Sequence, residues 1–469
     1  MTVQLLVACI VALFLVLLII RIPVAFALAM SGGIGLLALQ GFDAASLSVG
    51  NVPFASVAKI ALAVIPMFIM MGMFAQAAGL PEQLFKIANA KLGKLPGGLA
   101  IATVATCAGF GAVTGSSVAT AATVGRMSIG QMLKYGYTKP MAAGVVAAAG
   151  TLGVMIPPSV ILVLYGVVTG ESIGALLLAG IVPGLLSAVV MGTFILVRAK
   201  IYPAGVYTEE ALRARLMVPK TAGNPAQTAV RKVPAKLPGG VAPLADEKLP
   251  WRGLVWILVI FIVVLGGIYG GVFTATEAGA AGALVAALIM IWELRKTGVR
   301  GIIAGFASSF RETASTSSMM LAVVVGAALF TAFLVRAGVV ADFTAWVSSL
   351  DVPPILLIAL LIAALIPLGT VLESFSLILI AAPLIYPVAI ELGFDGIWIG
   401  ILIVKTVEIG LITPPVGMNV YVVAGTTKGL SVEDTFRGVT PFFFVEIFVT
   451  TLIFLIPGIA LWLPSTMMN

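Results

Sequence analysis

The sequence predicts an all-α polytopic membrane protein, built as an inverted repeat with five spans and one re-entrant helical hairpin in each half. Three observations carry that prediction. The chain has 469 residues, of which 61% are hydrophobic and only 10% charged, and its mean hydropathy is +1.19. A soluble domain carries about 25% charged residues. A double proline inside an apolar run, GLITPPVG at 410–417, has a counterpart, GVMIPPSV at 153–160, offset by 257 residues. Basic residues, finally, gather on one side of the resulting spans.

The first run, VQLLVACIVALFLVLLII at 3–20, is long enough to span a bilayer core. It lacks a basic leading region and a small-residue cleavage site, so it reads as a retained helix rather than a signal peptide. Further spans follow near 23–40, 59–79, 141–168 and 174–197. Residues 97–133, centred on VTGSSVATAATVG, admit two readings: a sixth span, or a hairpin that turns back at its Gly-Ser-Ser tip. Residues 354–390, centred on LESFS, pose the same choice in the second half. Shorter stretches at 42–58 and 298–314 sit between the second and third spans of each half and read as interfacial helices or arms.

The offset of 257 also pairs Gly136 with Gly393, Ser117 with Ser374 and Pro96 with Pro353. Several matches at one offset indicate duplication, with halves at 1–198 and 253–469. Each half then holds a hairpin (97–133, 354–390) and a helix broken by its prolines (141–168, 396–424). The segment between the halves, 199–252, is rich in Pro, Ala, Gly and Lys and reads as a poorly ordered polar linker.

Charge decides between span and hairpin. With both ambiguous segments re-entrant and the linker cytoplasmic, 23 of the 26 basic residues fall on the cytoplasmic side, leaving Lys59, Arg336 and Lys405. The positive-inside rule asks for such an asymmetry. Five crossings are an odd number, so the second half is inserted upside down. Interrupted helices in inverted repeats are an architecture of secondary transporters, with sites near the midplane.

Composition narrows the function. There is no histidine among the 469 residues, which removes the usual general base and the commonest metal ligand. Cys9 and Cys107 both lie in apolar runs, which argues against a disulfide framework or a zinc site. The net charge of +7 belongs to one membrane face, so no nucleic acid is expected as a partner. No catalytic constellation is visible, so an enzyme is not expected, nor is an organic cofactor. Transport is the remaining class.

Irregular backbone at membrane depth is tolerated where it is buried in protein or lines a cavity. Freed carbonyls with Ser and Thr hydroxyls make hard-oxygen cages for an alkali cation, and half-helix N-termini favour an anion. Ser116, Ser117, Thr151 and Gly153 form one candidate cation cluster, and Ser374, Gly410 and Thr413 its mirror. Glu373 reads as a cation ligand or a helix cap. The substrate is expected against the same tips and breaks, at Ser116, Ser117, Ser374, Pro157, Pro158, Pro414 and Pro415. Arg126 reads either as a partner for a substrate carboxylate or as an arginine snorkelling to the surface. The bland alternative for the small residues is close helix packing. Lys405 and Glu408, three apart on one helix face, read as a mutually neutralising pair, and Glu277 in VFTATEAG as part of a helix cap.

The segments GSSVATAATVGRM, GTLGVMIPPSVILVLYG, GGVFTATEAGA and EIGLITPPVGMNVYVVAG, in this order, resemble the large membrane subunit of tripartite ATP-independent periplasmic (TRAP) transporters, a DctM-like family. The resemblance implies an elevator-type, sodium-driven importer of organic acids in a bacterial or archaeal inner membrane, with Na+ as the coupling ion. It further implies a small four-helix membrane subunit, expected as a separate chain, and a periplasmic substrate-binding protein. Sodium and substrate would lie at the tips and breaks named above. The sequence departs from the family pattern at Ala275, where many relatives have Pro, and at Glu373, where many have Asp. The competing readings are a stand-alone sodium–dicarboxylate symporter and a membrane subunit without transport activity.

Overall fold

The computed structural model describes residues 2–216, 249–427 and 429–467. The larger part of the expected linker, 217–248, lies outside the described residues. Among the described residues every regular element is helical, and the one strand-like contact is an isolated bridge between Tyr137 and Tyr207.

The first half opens with α1 (Val3–Ile19), α2 (Val24–Val57), α3 (Val64–Ala77) and α4 (Leu80–Leu92). Helices α5 (Gly98–Thr114) and α6 (Ser117–Lys134) come next. After them a broken helix runs as α7 (Lys139–Gly150), α8 (Leu152–Met155) and α9 (Val160–Thr169), followed by α10 (Ile173–Ile201) and α11 (Glu209–Leu216). The second half begins with α12 (Trp251–Phe261), α13 (Gly267–Tyr269), α14 (Ala275–Leu294), α15 (Gly298–Arg336) and α16 (Val339–Ser348). Helices α17 (Pro354–Ala363) and α18 (Leu365–Gly369) precede α19 (Ser374–Glu391), and α20 (Gly396–Gly410) is separated from α21 (Met418–Thr426) by the second proline pair. The fold closes with α22 (Val432–Leu455) and α23 (Gly458–Met467).

Seven helical stretches among the described residues are long and apolar enough to cross a membrane. An eighth is added if α7–α8 and α9, bent by 45° at their break, form one span. The chain is a multi-pass membrane protein.

Glycine sets two elbows. Gly41 (φ 76°, ψ 175°) and Gly298 (φ 76°, ψ 178°) share one backbone conformation, which side chains other than hydrogen rarely adopt. In α2 the elbow splits the helix into a span and an arm. In the second half the outcome differs from expectation: 298–314 is no separate arm but the opening of α15, a continuous helix of 39 residues. The cause is local, since 306–325 contains neither Gly nor Pro and nothing interrupts the ladder of hydrogen bonds. At 1.5 Å per residue α15 is about 58 Å long, nearly twice a bilayer core.

Two sets of helix contacts stand out. Helix α15 lies along α2 through small residues, and a side chain added at Gly32 would fall 2.5 Å from the Phe330 backbone nitrogen. Phe14 of α1 reaches the same seam, its ring 5.5 Å from that of Phe330. Helix α14 packs on α3, and starts from a capping box in which the Glu277 carboxylate accepts from the Thr274 N–H at 2.8 Å. Elsewhere α22 lies against α7, and α20 against α18 and α19.

Two features between elements escape a linear reading. The opening of the linker is anchored: the Tyr207 hydroxyl accepts from the Gly97 N–H at 2.8 Å, and its ring sits 4.9 Å from that of Tyr137. Lys405, expected to pair with Glu408, lies 3.8 Å from that carboxylate and is also ion-paired to Glu446 of α22. All three side chains are at most 1% exposed.

Candidate functional site

Each hairpin and each break has a local cause. Helix α5 ends at Gly115, whose φ of 60° reverses the chain, and Ser116 caps α6 by accepting from the Ala119 N–H at 3.3 Å. The hydroxyls of Thr114 and Thr120, 2.9 Å apart, tie the two arms together beneath this tip. In the second hairpin Glu373 occupies the cap position of α19. Its carboxylate accepts from the Ser376 hydroxyl at 3.3 Å rather than from a backbone N–H.

The first break unwinds Ile156–Ser159 around a cis Pro157–Pro158 bond, and Ser159 then caps α9 by accepting from the Leu162 N–H at 3.2 Å. The second contains a cis Pro414–Pro415 bond and restarts as α21 after Gly417. The Gly417 N–H donates to the Thr370 carbonyl at 3.1 Å, fastening this break to the second tip. Asn419 reaches back to the Ala147 carbonyl of α7 at 3.3 Å, joining the two broken helices.

These four irregular points surround one cavity of about 430 Å³. Its wall includes the first residues of α6 (Ser117, Val118), α9 (Val160, Ile161), α19 (Ser374, Phe375) and α21 (Met418). Four helix N-termini therefore open on one space. The first N–H groups of a helix lack intrahelical partners and carry roughly half a positive charge between them. Thr114, the last residue of α5, and Leu411, whose carbonyl accepts from the Asn419 N–H at 3.1 Å, line the same wall. The arrangement sets helix N-termini, which suit an anion, beside the hydroxyl-bearing residues Ser116, Ser117 and Ser374.

Of the residues singled out in the sequence, Ser116, Ser117, Arg126, Glu373 and Ser374 line this cavity. Thr151, Gly153, Pro157, Pro158, Gly410, Thr413, Pro414 and Pro415 are not among the residues that line it. The Thr151 and Thr413 hydroxyls donate to the carbonyls of Ala148 (2.7 Å) and Ile409 (2.6 Å) in their own helices. Gly153 and Gly410 sit where the broken helices cross the hairpins. A side chain on Gly153 would fall 2.7 Å from the Thr120 hydroxyl and 2.9 Å from the Ser116 carbonyl. One on Gly410 would fall 2.6 Å from the Gly369 Cα. Pro157 and Pro158 are buried, whereas Pro414 and Pro415 are exposed. Arg126 is exposed at the cavity edge and pairs with no carboxylate among the described residues.

Away from the two tips, the wall gains three polar residues that the sequence reading does not single out: Gln76 from α3, and Glu312 and Thr316 from α15. A signal existed in the run SSFRETASTSS at 308–318, too polar for a lipid-facing helix.

The sequence matches the profile of the DctM component of tripartite ATP-independent periplasmic transporters over residues 11–459. The chain belongs to the DctM family. It is 33% identical over 404 residues to the C4-dicarboxylate TRAP transporter large permease protein DctM of Pseudomonas aeruginosa, covering 86% of each chain. It is 32% identical to the isethionate TRAP transporter permease protein DctMQ of Oleidesulfovibrio alaskensis, covering 96% of this chain and 65% of that one. In fold it is similar to the YdaH transporter of Alcanivorax borkumensis, with a TM-score of 0.56 and 15% identity over 90% of each chain. As a DctM-family protein it is a TRAP transporter large permease subunit, not an enzyme, and the cavity ringed by helix N-termini is its candidate transport site.

Proposed function

We propose that this large permease imports an organic acid together with sodium, taking it from a periplasmic binding protein and working beside a small four-helix membrane subunit in the inner membrane. The observation that carries the reading is the convergence of four helix N-termini on one cavity. Such ends stabilise anions without committing a fixed charge, so a carboxylate can bind and leave. The end of α5 at Thr114, with the tip hydroxyls, suits a cation with hard-oxygen preference. The relatives named for C4-dicarboxylate and isethionate lend support to an organic anion as cargo.

For the mechanism we favour an elevator. The hairpins and broken helices form one body, and α1–α3 with α14–α15 another, and the cavity lies where they meet, with Gln76, Glu312 and Thr316 facing the tips. Sliding the first body past the second would carry the cavity from one side to the other, with the two halves inserted upside down and the 199–252 segment cytoplasmic. A stand-alone sodium–dicarboxylate symporter is the competing reading.

The test is uptake into proteoliposomes holding both membrane subunits, with the binding protein outside. An imposed inward sodium gradient is expected to drive accumulation that disappears when the binding protein is omitted. Uptake by this chain alone would favour the symporter, and no dependence on sodium would defeat the coupling. In the same vesicles Ser117→Ala and Ser374→Ala are expected to raise the sodium concentration for half-maximal uptake several-fold, one lost oxygen contact being worth about 1 kcal/mol. Unchanged sodium dependence in both would remove these residues from the cation site.

A further inference from the structure

A second cavity, of about 490 Å³, lies beside the first. It is walled by α9, α15 and α19, three helices that also wall the transport cavity, and by the end of α2 with Lys59. On each shared helix the two cavities are a single turn apart: Ile161 to Leu164, Met320 to Val324, and Phe375 to Leu379. Three or four residues amount to about 5 Å of helix. The septum includes the buried apolar side chains of Leu162, Val323, Leu377 and Ile378, with Ser376 as a buried polar residue among them.

The second cavity differs from the first in charge. Its lining contains Lys59 and Arg336 and no Asp or Glu, whereas the transport cavity carries Glu312 and Glu373 beside Arg126. Arg336 donates to the Gln40 side-chain oxygen at 2.8 Å and to the Ser48 hydroxyl, both neutral acceptors. Neither cation pairs with a carboxylate among the described residues. Lys59 and Arg336 are also two of the three basic residues that the charge distribution leaves off the cytoplasmic face. Two uncompensated cations over an apolar floor of this size suit a small organic acid, since ligand pockets typically measure 300–1,000 Å³ with few polar groups.

We propose that this second cavity is an outer anion-binding station, in which Lys59 and Arg336 hold the carboxylate of the transported acid before it crosses the septum. The assignment rests on the proposed function, because it takes the first cavity as the transport site. A fixed positive field at the mouth of a cavity raises the local concentration of an anion and its rate of entry. The transport cavity, lined by Arg126 as well as by Glu312 and Glu373, then receives the anion from this station.

The test uses the complete transporter in vesicles of zwitterionic lipid, with Lys59→Gln and Lys59→Arg compared against the natural protein. Lys59 is exposed and its side chain caps nothing, so folding is not at stake. At sub-saturating substrate-loaded binding protein, Lys59→Gln is expected to slow uptake about two- to fivefold, the range of one partly exposed charge contact. Lys59→Arg is expected to restore it, and capture of the binding protein by the immobilised complex to stay unchanged. Undiminished uptake in Lys59→Gln overturns the station. Parallel loss of capture also overturns it, making Lys59 a protein-docking residue. A defect confined to vesicles containing anionic lipid overturns it in favour of a lipid headgroup. If the natural protein accumulates no organic acid under a sodium gradient, the proposed function fails first and the station with it.

Discussion

Lys405→Met is expected to destabilise the folded protein by about 3–5 kcal/mol, the usual cost of removing one partner from a buried ion pair. The ammonium is paired to Glu446 and lies 3.8 Å from Glu408, and all three groups are sealed from solvent. Without it two carboxylates face each other with no counter-charge and few donors to satisfy them. Thermal unfolding of the purified permease should show a large fall in midpoint, and an unchanged midpoint would contradict the arrangement. The first half offers a control. At the 257-residue offset Lys405 and Glu408 correspond to Ala148 and Thr151, so the broken-helix fold does not require the charges. Adding Glu408→Thr and Glu446→Gln to Lys405→Ala is therefore expected to recover part of the loss, because contacting residues are not additive.

Gly153→Ala is expected to cut uptake by tenfold or more while leaving much of the protein folded. The added methyl would lie 2.7 Å from the Thr120 hydroxyl and 2.9 Å from the Ser116 carbonyl. Both atoms belong to the first tip, and Ser116 is the cap that orients the N-terminus of α6 toward the cavity. The tip must move aside, and a displacement near 1 Å at a positioned site costs roughly a hundredfold at the extreme. Gly33→Ala supplies the comparison, since nothing lies within 4 Å of the position its methyl would take. Equal activity of the two variants would show that the crossing tolerates strain.

Much of this architecture is legible in the sequence because membrane segments announce themselves by composition, and breaks by Pro and Gly. The Gly-Ser-Ser and LESFS centres mark places where apolar helices stop, and Ser116, Ser117, Glu373 and Ser374 all reach the cavity. Other parts have no one-dimensional signal. Glu446 meets Lys405 across 41 residues of chain, through the packing of α22 on α20. No periodicity encodes that meeting. Gln76 and Glu312 come from helices whose rotation about their axes the sequence leaves open. Gly153 and Gly410 read naturally as suppliers of freed carbonyls, yet their lack of a side chain also lets the broken helices cross the hairpins closely. The polar run at 308–318 reads as interfacial when taken alone, whereas the uninterrupted ladder of α15 carries it against the tips.

The central claim is that four helix N-termini hold the carboxylate of the cargo while neighbouring carbonyls and hydroxyls hold sodium. The most direct measurement is an electron cryo-microscopy structure of the complex with sodium and the organic acid that its binding protein selects. The account predicts density for the carboxylate within hydrogen-bond reach of the N–H groups opening α6 and α19, in the cavity of about 430 Å³. A well-ordered acid bound elsewhere, with that cavity empty or filled by side chains, would contradict it.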